Sequence, residues 1–322
     1  MASQSTPLRV GVIGLGWFGE VHCDAIIGIP ELTLSALSTR NAERLKDLAT
    51  KYKVAKAKTD FMDVINDPDI DVIVVTTAWD KHKDATIAAL KAGKHVLCEK
   101  PFAMNVAEIE LMVEAARKND RLLVEAVWSR WHPRMIRMVE YVKAGNIGEI
   151  VSIDSSFTFP GSIDGNYRAV PAMGGGALFD VGVYPLHAIA ALVGDDARVE
   201  IEKCDVSVGP TGVDLTTKWQ MRINGSITAN GLASFEMPEN QSLIVRGERG
   251  SVELVGTQAF TSWHEASTLR LGEHTEDFDA VDPYRLMIEN FGKRIQGQDS
   301  WVLPLETSLS VAKVLEQIQS SN

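Results

Sequence analysis

The sequence predicts an α/β Rossmann domain with a parallel sheet, followed by an α+β domain with a large, mostly antiparallel open sheet. From residue 8 to 127, short and nearly continuous apolar runs alternate with amphipathic stretches, as they do in βαβ units. After this point the alternation stops, and runs typical of antiparallel strands are separated by turns. A chain of 322 residues also exceeds what one core usually organises, so we predict domains at 1–127 and 128–322.

The elements of the first domain follow from local patterns. Apolar runs bounded by turn residues predict strands at 8–14, 32–38, 71–77, 95–100 and 122–127, with a weaker candidate at 54–58. Apolar residues spaced by three and four predict crossover helices at 42–52, 82–93 and 105–119. Gly93 ends the second of these helices, as expected of a C-cap.

The second domain begins with one more helix and continues mainly as strands. The patterns predict a helix at 133–145, strands at 149–159, 216–223, 226–237, 241–248 and 250–256, and a final helix at 306–321. No internal repeat or low-complexity linker interrupts the chain, so the two domains are expected to abut.

Composition narrows the class of protein. Hydrophobic residues make up 45% of the chain and charged residues 23%, which excludes disordered, fibrous and disulfide-scaffold classes. The net charge of -11 argues against a nucleic-acid partner, because phosphate binding needs a basic surface. The N-terminus lacks a signal-peptide pattern, and no apolar run reaches the ~18 residues of a membrane span. We therefore expect a cytoplasmic protein with no membrane partner.

Cysteine and histidine spacing gives no sign of a metal site. Cys23, Cys98 and Cys204 are far apart and include no CxxC pair, so neither a disulfide framework nor a structural zinc site is indicated. The seven histidines show no HxH or HExxH spacing. No metal cofactor is predicted.

A GxGxxG motif lies at the first strand-to-helix turn, where it has a mechanical meaning. Gly14 permits the tight turn, Gly16 lets the backbone approach a pyrophosphate, and Gly19 allows close packing of helix on strand. Trp17 and Phe18 lie between these glycines, and the helix N-terminus offers N–H groups to the phosphates. The alternative is a tight turn that uses glycine for geometry alone.

The end of the second strand favours NADP over NAD. An acidic residue at this position holds a ribose 2′-hydroxyl, whereas a basic residue accommodates a 2′-phosphate. Here the strand ends in Ser38, Thr39 and Arg40, and two hydroxyls with a guanidinium suit a phosphate dianion. The alternative for Arg40 is a solvated residue that opens the next helix.

Several motifs, taken together and in this order, resemble one known family over nearly the whole chain. They are GLGWFG at 14–19, AGKHVLCEKP at 92–101, the LVEA strand with Trp128, and GGGALFDVGVYPLHA at 174–188. On these motifs the chain resembles the glucose-fructose oxidoreductase/inositol dehydrogenase family, also called Gfo/Idh/MocA. The resemblance implies an NAD(P)-dependent oxidoreductase that acts on a sugar-like hydroxyl or ketone.

The resemblance also implies the residues of the reacting centre. Lys100 would lie beside the substrate hydroxyl and the nicotinamide, and Pro101 would follow a cis peptide bond. The position of Lys100 at the carboxyl edge of the sheet agrees with this role, since ligands of open α/β sheets bind there. The alternative is a lysine that merely pairs with Glu99. Further cofactor contacts are implied around Thr76, Thr77, Trp79 and His82.

The second catalytic group is expected in the glycine-rich turn and helix of the other domain. Asp180, Tyr184 and His187 are spaced so that on an α-helix they share one face. Many family members carry histidine where this chain has Tyr184. This difference resembles the branch of dihydrodiol and xylose dehydrogenases and nucleotide-sugar 3-ketoreductases, in which a tyrosine is the proposed proton donor. The ammonium of Lys100, if it lies nearby, would favour the phenolate form of Tyr184.

Several roles and the substrate stay open at this point. His187 is the second candidate for the proton donor, and Asp180 either orients Tyr184, binds a substrate hydroxyl or caps the helix. Trp128, Tyr167 and Arg168 are weaker candidates for lining the substrate. The leading hypothesis is an NADP-linked oxidoreductase that transfers hydride between the nicotinamide and a hydroxyl or ketone carbon of a sugar or cyclic polyol, with a ketoreductase of a nucleotide-linked sugar as its narrower form. The alternatives are an aldose or trans-dihydrodiol dehydrogenase of the same family, and a non-catalytic NADP-binding sensor. The resemblance also implies a homodimer or homotetramer.

Overall fold

A computed structural model of the chain describes residues 6–161 and 163–321. These residues cluster into two compact units. The first comprises the chain up to Ala126 together with Tyr284–Leu305, and the second comprises Val127–Pro283 and the chain from Glu306 onward.

The helices and strands are as follows, in chain order. The helices are α1 (Trp17–Ile26), α2 (Ala42–Tyr52), α3 (Phe61–Ile65), α4 (His82–Lys91), α5 (Val106–Asn119), α6 (Pro133–Lys143), α7 (Val183–Val193), α8 (Pro283–Ile295) and α9 (Leu305–Ser320). The strands are β1 (Leu8–Ile13), β2 (Leu32–Ser38), β3 (Lys56–Lys58), β4 (Val72–Val75), β5 (His95–Glu99), β6 (Leu123–Ala126), β7 (Ile150–Thr158), β8 (Val199–Val208), β9 (Asp214–Ile223), β10 (Ile227–Ser234), β11 (Asn240–Gly247), β12 (Gly250–Val255), β13 (Ser267–Leu271) and β14 (His274–Phe278).

The sheet of the first unit is parallel, with the strand order β3-β2-β1-β4-β5-β6 among the described residues. The predicted Rossmann domain is confirmed, including the weak strand candidate that forms β3. β4 is buried at every position, as expected for a strand covered on both faces. The strand order reverses between β1 and β4, and ligands of such sheets bind at the carboxyl ends of the strands at this point.

The predicted second domain, 128–322, needs correction because Tyr284–Leu305, which includes nearly all of α8, belongs to the first unit. Tyr284 is buried and packs edge-on against His22 of α1, with ring centroids 5.4 Å apart. Arg285 Nη2 donates a hydrogen bond to the carbonyl of Gly28 at 2.8 Å. These partners lie more than 250 positions away in the chain, so no local pattern could reveal them.

The sheet of the second unit has the order β14-β13-β12-β11-β7-β10-β9-β8 in the described part of the chain. Neighbouring strands in this sheet are antiparallel, except that β7 and β10 are parallel. The predicted α+β architecture with a mostly antiparallel sheet is therefore confirmed. β8, β13 and β14 were not predicted, because polar or charged residues interrupt the apolar residues in each, so none contains a continuous apolar run.

One buried segment of the second unit corrects a second prediction. Pro171–Val193 is long and apolar enough to cross a membrane by length and composition, although no run of that length was predicted. In the structure 94% of its apolar window is buried inside the protein. The buried helix α7 lies in this segment, so its length and apolar composition are those of a core helix.

The start of α6 holds two buried basic side chains. The Nδ1 atom of His132 caps the helix by accepting a hydrogen bond from the backbone N–H of Arg134 at 3.1 Å. The Arg134 guanidinium donates to the carbonyls of Val255, Gln258 and Ala259. Burial, helped by the charge of Arg134, lowers the pKa of His132 to about 4. The neutral imidazole is therefore the form that the fold stabilises.

We expect this histidine to make the protein acid-sensitive. The unfolded chain takes up the proton near the ordinary histidine pKa of about 6.5, so stability falls as the pH drops from there towards about 4. At pH 5 the expected loss from this group is about 2 kcal/mol of the free energy of unfolding. Urea unfolding at pH 7.5 and pH 5 measures this loss of stability.

His132→Asn keeps an oxygen that can cap the helix but has no titrating group, so the variant should lose about 2 kcal/mol less between the two pH values. Equal losses in both proteins would contradict the assignment.

Candidate active site

The glycine turn of the first unit joins the carboxyl ends of three strands. Gly14 adopts a φ of 89°, and a Cβ added there would lie 2.4 Å from the backbone N of Thr77. The Gly14 N–H donates to the carbonyl of Ser38 at 2.9 Å, and the hydroxyl of Thr76 donates to the carbonyl of Gly14 at 2.6 Å. Only glycine fits this position, because both the left-handed backbone and the close approach exclude a side chain.

The same turn offers the features that a dinucleotide needs. Gly16 is the exposed N-cap of α1, provides no side-chain cap, and has no atom within 4 Å of where a Cβ would lie. The first N–H groups of a helix have no intrahelical acceptor, so this end of α1 suits a pyrophosphate. The hydroxyl oxygen of Thr77 is buried and has no hydrogen-bond partner among the described residues. Trp17 is 61% exposed beside Gly16. These residues fit a bound dinucleotide.

The end of β2 places one cation at the surface. Ser38 is buried, Thr39 is half-buried and Arg40 is exposed. Within residues 6–161 and 163–321, Arg40 has no hydrogen bond or ion pair, and the next residue, Asn41, is the N-cap of α2. Arg40 thus lies directly before the helix, and its guanidinium can reach a phosphate without breaking a contact.

Sequence reasoning missed Arg44, which contacts the glycine turn directly. Its Nε atom donates to the carbonyl of Leu15 at 2.6 Å, and its guanidinium also pairs with Glu20 of α1. The available signal was weak, since a basic residue in the first turn of α2 looks like any solvated helix residue. Only the pairing of β1 with β2 brings this turn of α2 to the glycine turn.

Lys100 follows β5 directly and is 4% exposed. The peptide bond to Pro101 is cis, as the resemblance implied. The Lys100 ammonium lies 5.9 Å from the ring centroid of Phe18, a residue of the glycine turn. The Lys100 N–H also donates to Glu99 Oε2 at 3.1 Å. A buried cation therefore lies beside the glycine turn, which is the candidate dinucleotide turn, at the carboxyl edge of the sheet.

His82, a predicted cofactor contact, lies between two backbone carbonyls of the first unit. The side chain is fully buried, with Nδ1 3.0 Å from the carbonyl oxygen of Pro101 and Nε2 3.0 Å from that of Thr77. Burial lowers its pKa. His82 therefore holds the segment after Lys100 in position, and Trp79 nearby is also buried.

In the second unit, Tyr184 is buried in an aromatic cluster. Its hydroxyl oxygen accepts a hydrogen bond from the indole N–H of Trp128 at 3.0 Å. Its ring lies against Phe157, with centroids 5.3 Å apart, and against Phe260 at 6.3 Å. Sequence reasoning missed both phenylalanines, because one comes from β7 and the other from the chain after β12, where a single aromatic residue gives no signal.

Asp180 forms a short ion pair with Arg168. The Arg168 Nε atom donates to Asp180 Oδ2 at 2.6 Å, and Asp180 is 2% exposed. Burial alone would lower the pKa of Arg168, but the carboxylate of Asp180 outweighs this effect and the pKa is raised. The same guanidinium lies over the ring of Tyr167, 4.9 Å from its centroid. Arg168 and Asp180 therefore form an ion pair in the second unit.

The structure places Asp180 in the π-helical turn Leu178–Gly182, which leads directly into α7, and places Tyr184 and His187 on α7. The capping alternative for Asp180 is wrong, because Gly182 is the N-cap of α7. His187 is buried, and its carbonyl accepts a hydrogen bond from Arg130 at 3.0 Å.

No group of three His, Cys, Asp or Glu side chains in the described part of the chain is arranged to hold a metal ion. The dinucleotide turn and the buried lysine remain the features that point to chemistry in the first unit. In the second unit these features are the tyrosine cluster and its neighbouring ion pair.

Two family models match most of the chain. Residues 8–126 match the model of an oxidoreductase family with an NAD-binding Rossmann fold, and residues 135–253 match the GFO/IDH/MocA C-terminal domain. The chain is 27% identical to trans-1,2-dihydrobenzene-1,2-diol dehydrogenase of Bos taurus, over 98% of this chain and 96% of the relative.

Two solved structures are similar over almost the whole chain. KijD10, a 3-ketoreductase from Actinomadura kijaniata in complex with NADP and TDP-benzene, is 25% identical with a TM-score of 0.90 and 98% coverage of both chains. The aldose-aldose oxidoreductase of Caulobacter crescentus, complexed with glycerol, is 25% identical with a TM-score of 0.87, covering 98% of this chain and 97% of its own. The protein is thus an NAD(P)-dependent oxidoreductase of the Gfo/Idh/MocA family.

Proposed function

We propose that this protein is an NADP-linked oxidoreductase that interconverts a hydroxyl and a ketone on a sugar or cyclic polyol. The observation that carries the proposal is the buried ammonium of Lys100 beside Phe18 of the dinucleotide turn. The proposal is also supported by the similar proteins, which include a 3-ketoreductase, an aldose-aldose oxidoreductase and a dihydrodiol dehydrogenase.

Lys100 is proposed to stabilise negative charge on the reacting oxygen. When bound, NADP(H) supplies or accepts the hydride. The carbonyl oxygen becomes alkoxide-like as its carbon is reduced, and an ammonium in a buried site stabilises that charge far more than it would in water. The low exposure of Lys100 supports this role, because little solvent screens its charge.

Tyr184 is proposed to donate the proton in reduction and to accept it in oxidation. The indole N–H of Trp128 can only donate, so the phenol oxygen is the acceptor in this hydrogen bond. Its own proton must then be directed towards another acceptor, and the substrate oxygen is the proposed one. After the transfer, the same indole N–H stabilises the phenolate. Trp128 is therefore a positioning residue for Tyr184.

The charged pair near Tyr184 is proposed to hold the substrate. Arg168 offers further N–H donors besides the one that binds Asp180, and sugar hydroxyls are natural partners for such donors. Phe157 and Phe260 give the tyrosine an apolar wall of the kind that ligand sites often use. His187 is the second candidate for proton donor. The homo-oligomer and the cytoplasmic location stay predictions.

The preference for NADP is proposed from Arg40, whose exposed guanidinium follows the hydroxyls of Ser38 and Thr39. We expect fluorescence titration to give a Kd for NADPH at least about tenfold lower than for NADH. Arg40→Ala should remove most of this difference by weakening NADPH alone. A preference for NADH in the unaltered protein would contradict this part of the proposal.

The reaction itself is tested by a separate turnover assay. The protein and NADPH are mixed with ketosugar nucleotides, ketoses and cyclic ketones, and NADP is mixed with aldoses, polyols and trans-dihydrodiols, while the nicotinamide absorbance is followed. Turnover with a sugar or polyol supports the proposal and identifies the branch. Tight NADPH binding without turnover on any of these compounds would overturn it in favour of a cofactor-binding sensor.

A further inference from the structure

Two buried side chains of the first unit, His22 and Glu99, meet next to Lys100 and have no part in the mechanism above. His22 lies on α1 and is fully buried, while Glu99 is the last residue of β5 and is 4% exposed. His22 Nε2 and Glu99 Oε1 are 2.7 Å apart, although 77 positions separate the two residues. This contact joins the helix of the dinucleotide turn to the strand that leads to Lys100.

Glu99 makes one hydrogen bond through each of its side-chain oxygens. Oε1 pairs with Nε2 of His22, and an imidazole N–H can donate to such an oxygen. The other oxygen, Oε2, accepts the backbone N–H of Lys100 at 3.1 Å. Each oxygen of Glu99 therefore has its own partner, one from α1 and one from the backbone that carries the catalytic side chain. A buried carboxylate depends on such partners, because it has lost its contact with water.

The imidazole of His22 is itself held in place. The ring of Tyr284 from α8 packs against it nearly at right angles, with an interplanar angle of 84°. The Nδ1 atom of His22 is buried and has no hydrogen-bond partner among the described residues. Packing by Tyr284 and the hydrogen bond to Glu99 are therefore what orient this ring.

We propose that His22 and Glu99 form a positioning pair that fixes Lys100 relative to the dinucleotide turn. α1 begins at this turn, so the pair couples the backbone that faces the cofactor to the N–H of Lys100. On the other side of the lysine, His82 holds the carbonyl of Pro101. The inference rests on the proposed function only in giving Lys100 its catalytic role. Neither His22 nor Glu99 is proposed to touch the substrate.

The experiment measures the backbone of Lys100 in the cofactor-free protein as well as turnover. Amide hydrogen exchange of Lys100, followed by NMR, reports the hydrogen bond to Glu99 without any bound ligand. His22→Leu is expected to speed this exchange at least about tenfold and to lower kcat by about 10-fold to 100-fold. His22→Gln keeps an N–H donor and should restore both values to within about threefold.

Two further variants separate positioning from general loss of packing. Cys23→Ala removes a neighbouring, fully buried side chain of the same helix and should leave Lys100 exchange unchanged. Glu99→Leu fills a similar volume but has no acceptor oxygen, so the N–H of Lys100 loses its partner. It should behave like His22→Leu, and it serves as the test if that variant does not fold.

The proposal is overturned if Lys100 exchange and kcat stay at their unaltered values in both His22→Leu and Glu99→Leu, or if Cys23→Ala raises the exchange equally. Failure of the proposed function gives a different result. A protein that turns over no substrate would still show the exchange differences if the pair holds Lys100 as described.

Discussion

Lys100→Met is expected to lower kcat by about 10³-fold while changing the Kd for NADPH by no more than about threefold. Methionine fills the buried volume of the lysine stem but carries no charge, so the loss reports the ammonium itself. The alkoxide-like oxygen that forms during reduction then has no cation beside it. Stopped-flow measurement of nicotinamide oxidation with the best ketone substrate gives kcat, and fluorescence titration gives the Kd.

The chain offers a matched control in Lys94, just before the other end of the same strand. Lys94 is 7% exposed and donates hydrogen bonds to the carbonyls of Asp67 and Ile70 at 2.7 Å each. Lys94→Met should lower the Tm, because two buried carbonyls lose their donor, but should leave kcat of the folded protein unchanged. If kcat in Lys100→Met stayed within about threefold of the unaltered value, the catalytic role of Lys100 would be wrong.

Tyr184→Phe is expected to lower kcat by about 10²-fold to 10⁴-fold, the usual contribution of a general acid. The ring keeps its contacts with Phe157 and Phe260, so packing in the aromatic cluster is preserved. The buried indole N–H of Trp128 loses its acceptor, which should cost about 1–3 kcal/mol of the free energy of unfolding. Steady-state kinetics and urea unfolding measure the two effects separately.

Two comparisons make this result specific. Tyr141→Phe removes a hydroxyl that hydrogen-bonds to Glu276 at 2.8 Å, and kcat should be unchanged. His187→Gln tests the second candidate donor. A large loss of kcat in His187→Gln together with near-normal turnover in Tyr184→Phe would assign the proton to His187 instead.

The prediction of the first unit from sequence succeeded because its signals are local. Buried strands such as β4 are continuous apolar runs, and crossover helices such as α2 show a helical repeat, so each can be recognised within ten residues or so. The glycine turn also has a local signal, since its GxGxxG motif directly follows the apolar run of β1. Lys100 was found because the motif around it resembles a known family.

The sequence left detail open where a local pattern has two physical outcomes. The spacing of Asp180 and Tyr184 fits an α-helix, but Asp180 lies in a π-helical turn directly before α7. His82 was predicted at the cofactor because the resemblance implies contacts after the fourth strand, and the structure shows its two ring nitrogens beside the carbonyls of Thr77 and Pro101. A histidine in a site motif can support the backbone as well as touch a ligand, and the sequence looks the same in both cases.

By itself, then, the sequence determined the Rossmann sheet, the dinucleotide turn, the family and the identity of Lys100 and Tyr184 as candidates. Only the tertiary structure decided that α8 returns to the first unit, that Tyr284 packs on His22, and that His22 reaches Glu99. The physical reason is distance along the chain. Packing and hydrogen bonds between residues 77 or more positions apart leave no periodic pattern, because each partner is a single buried side chain whose neighbour is chosen by the fold.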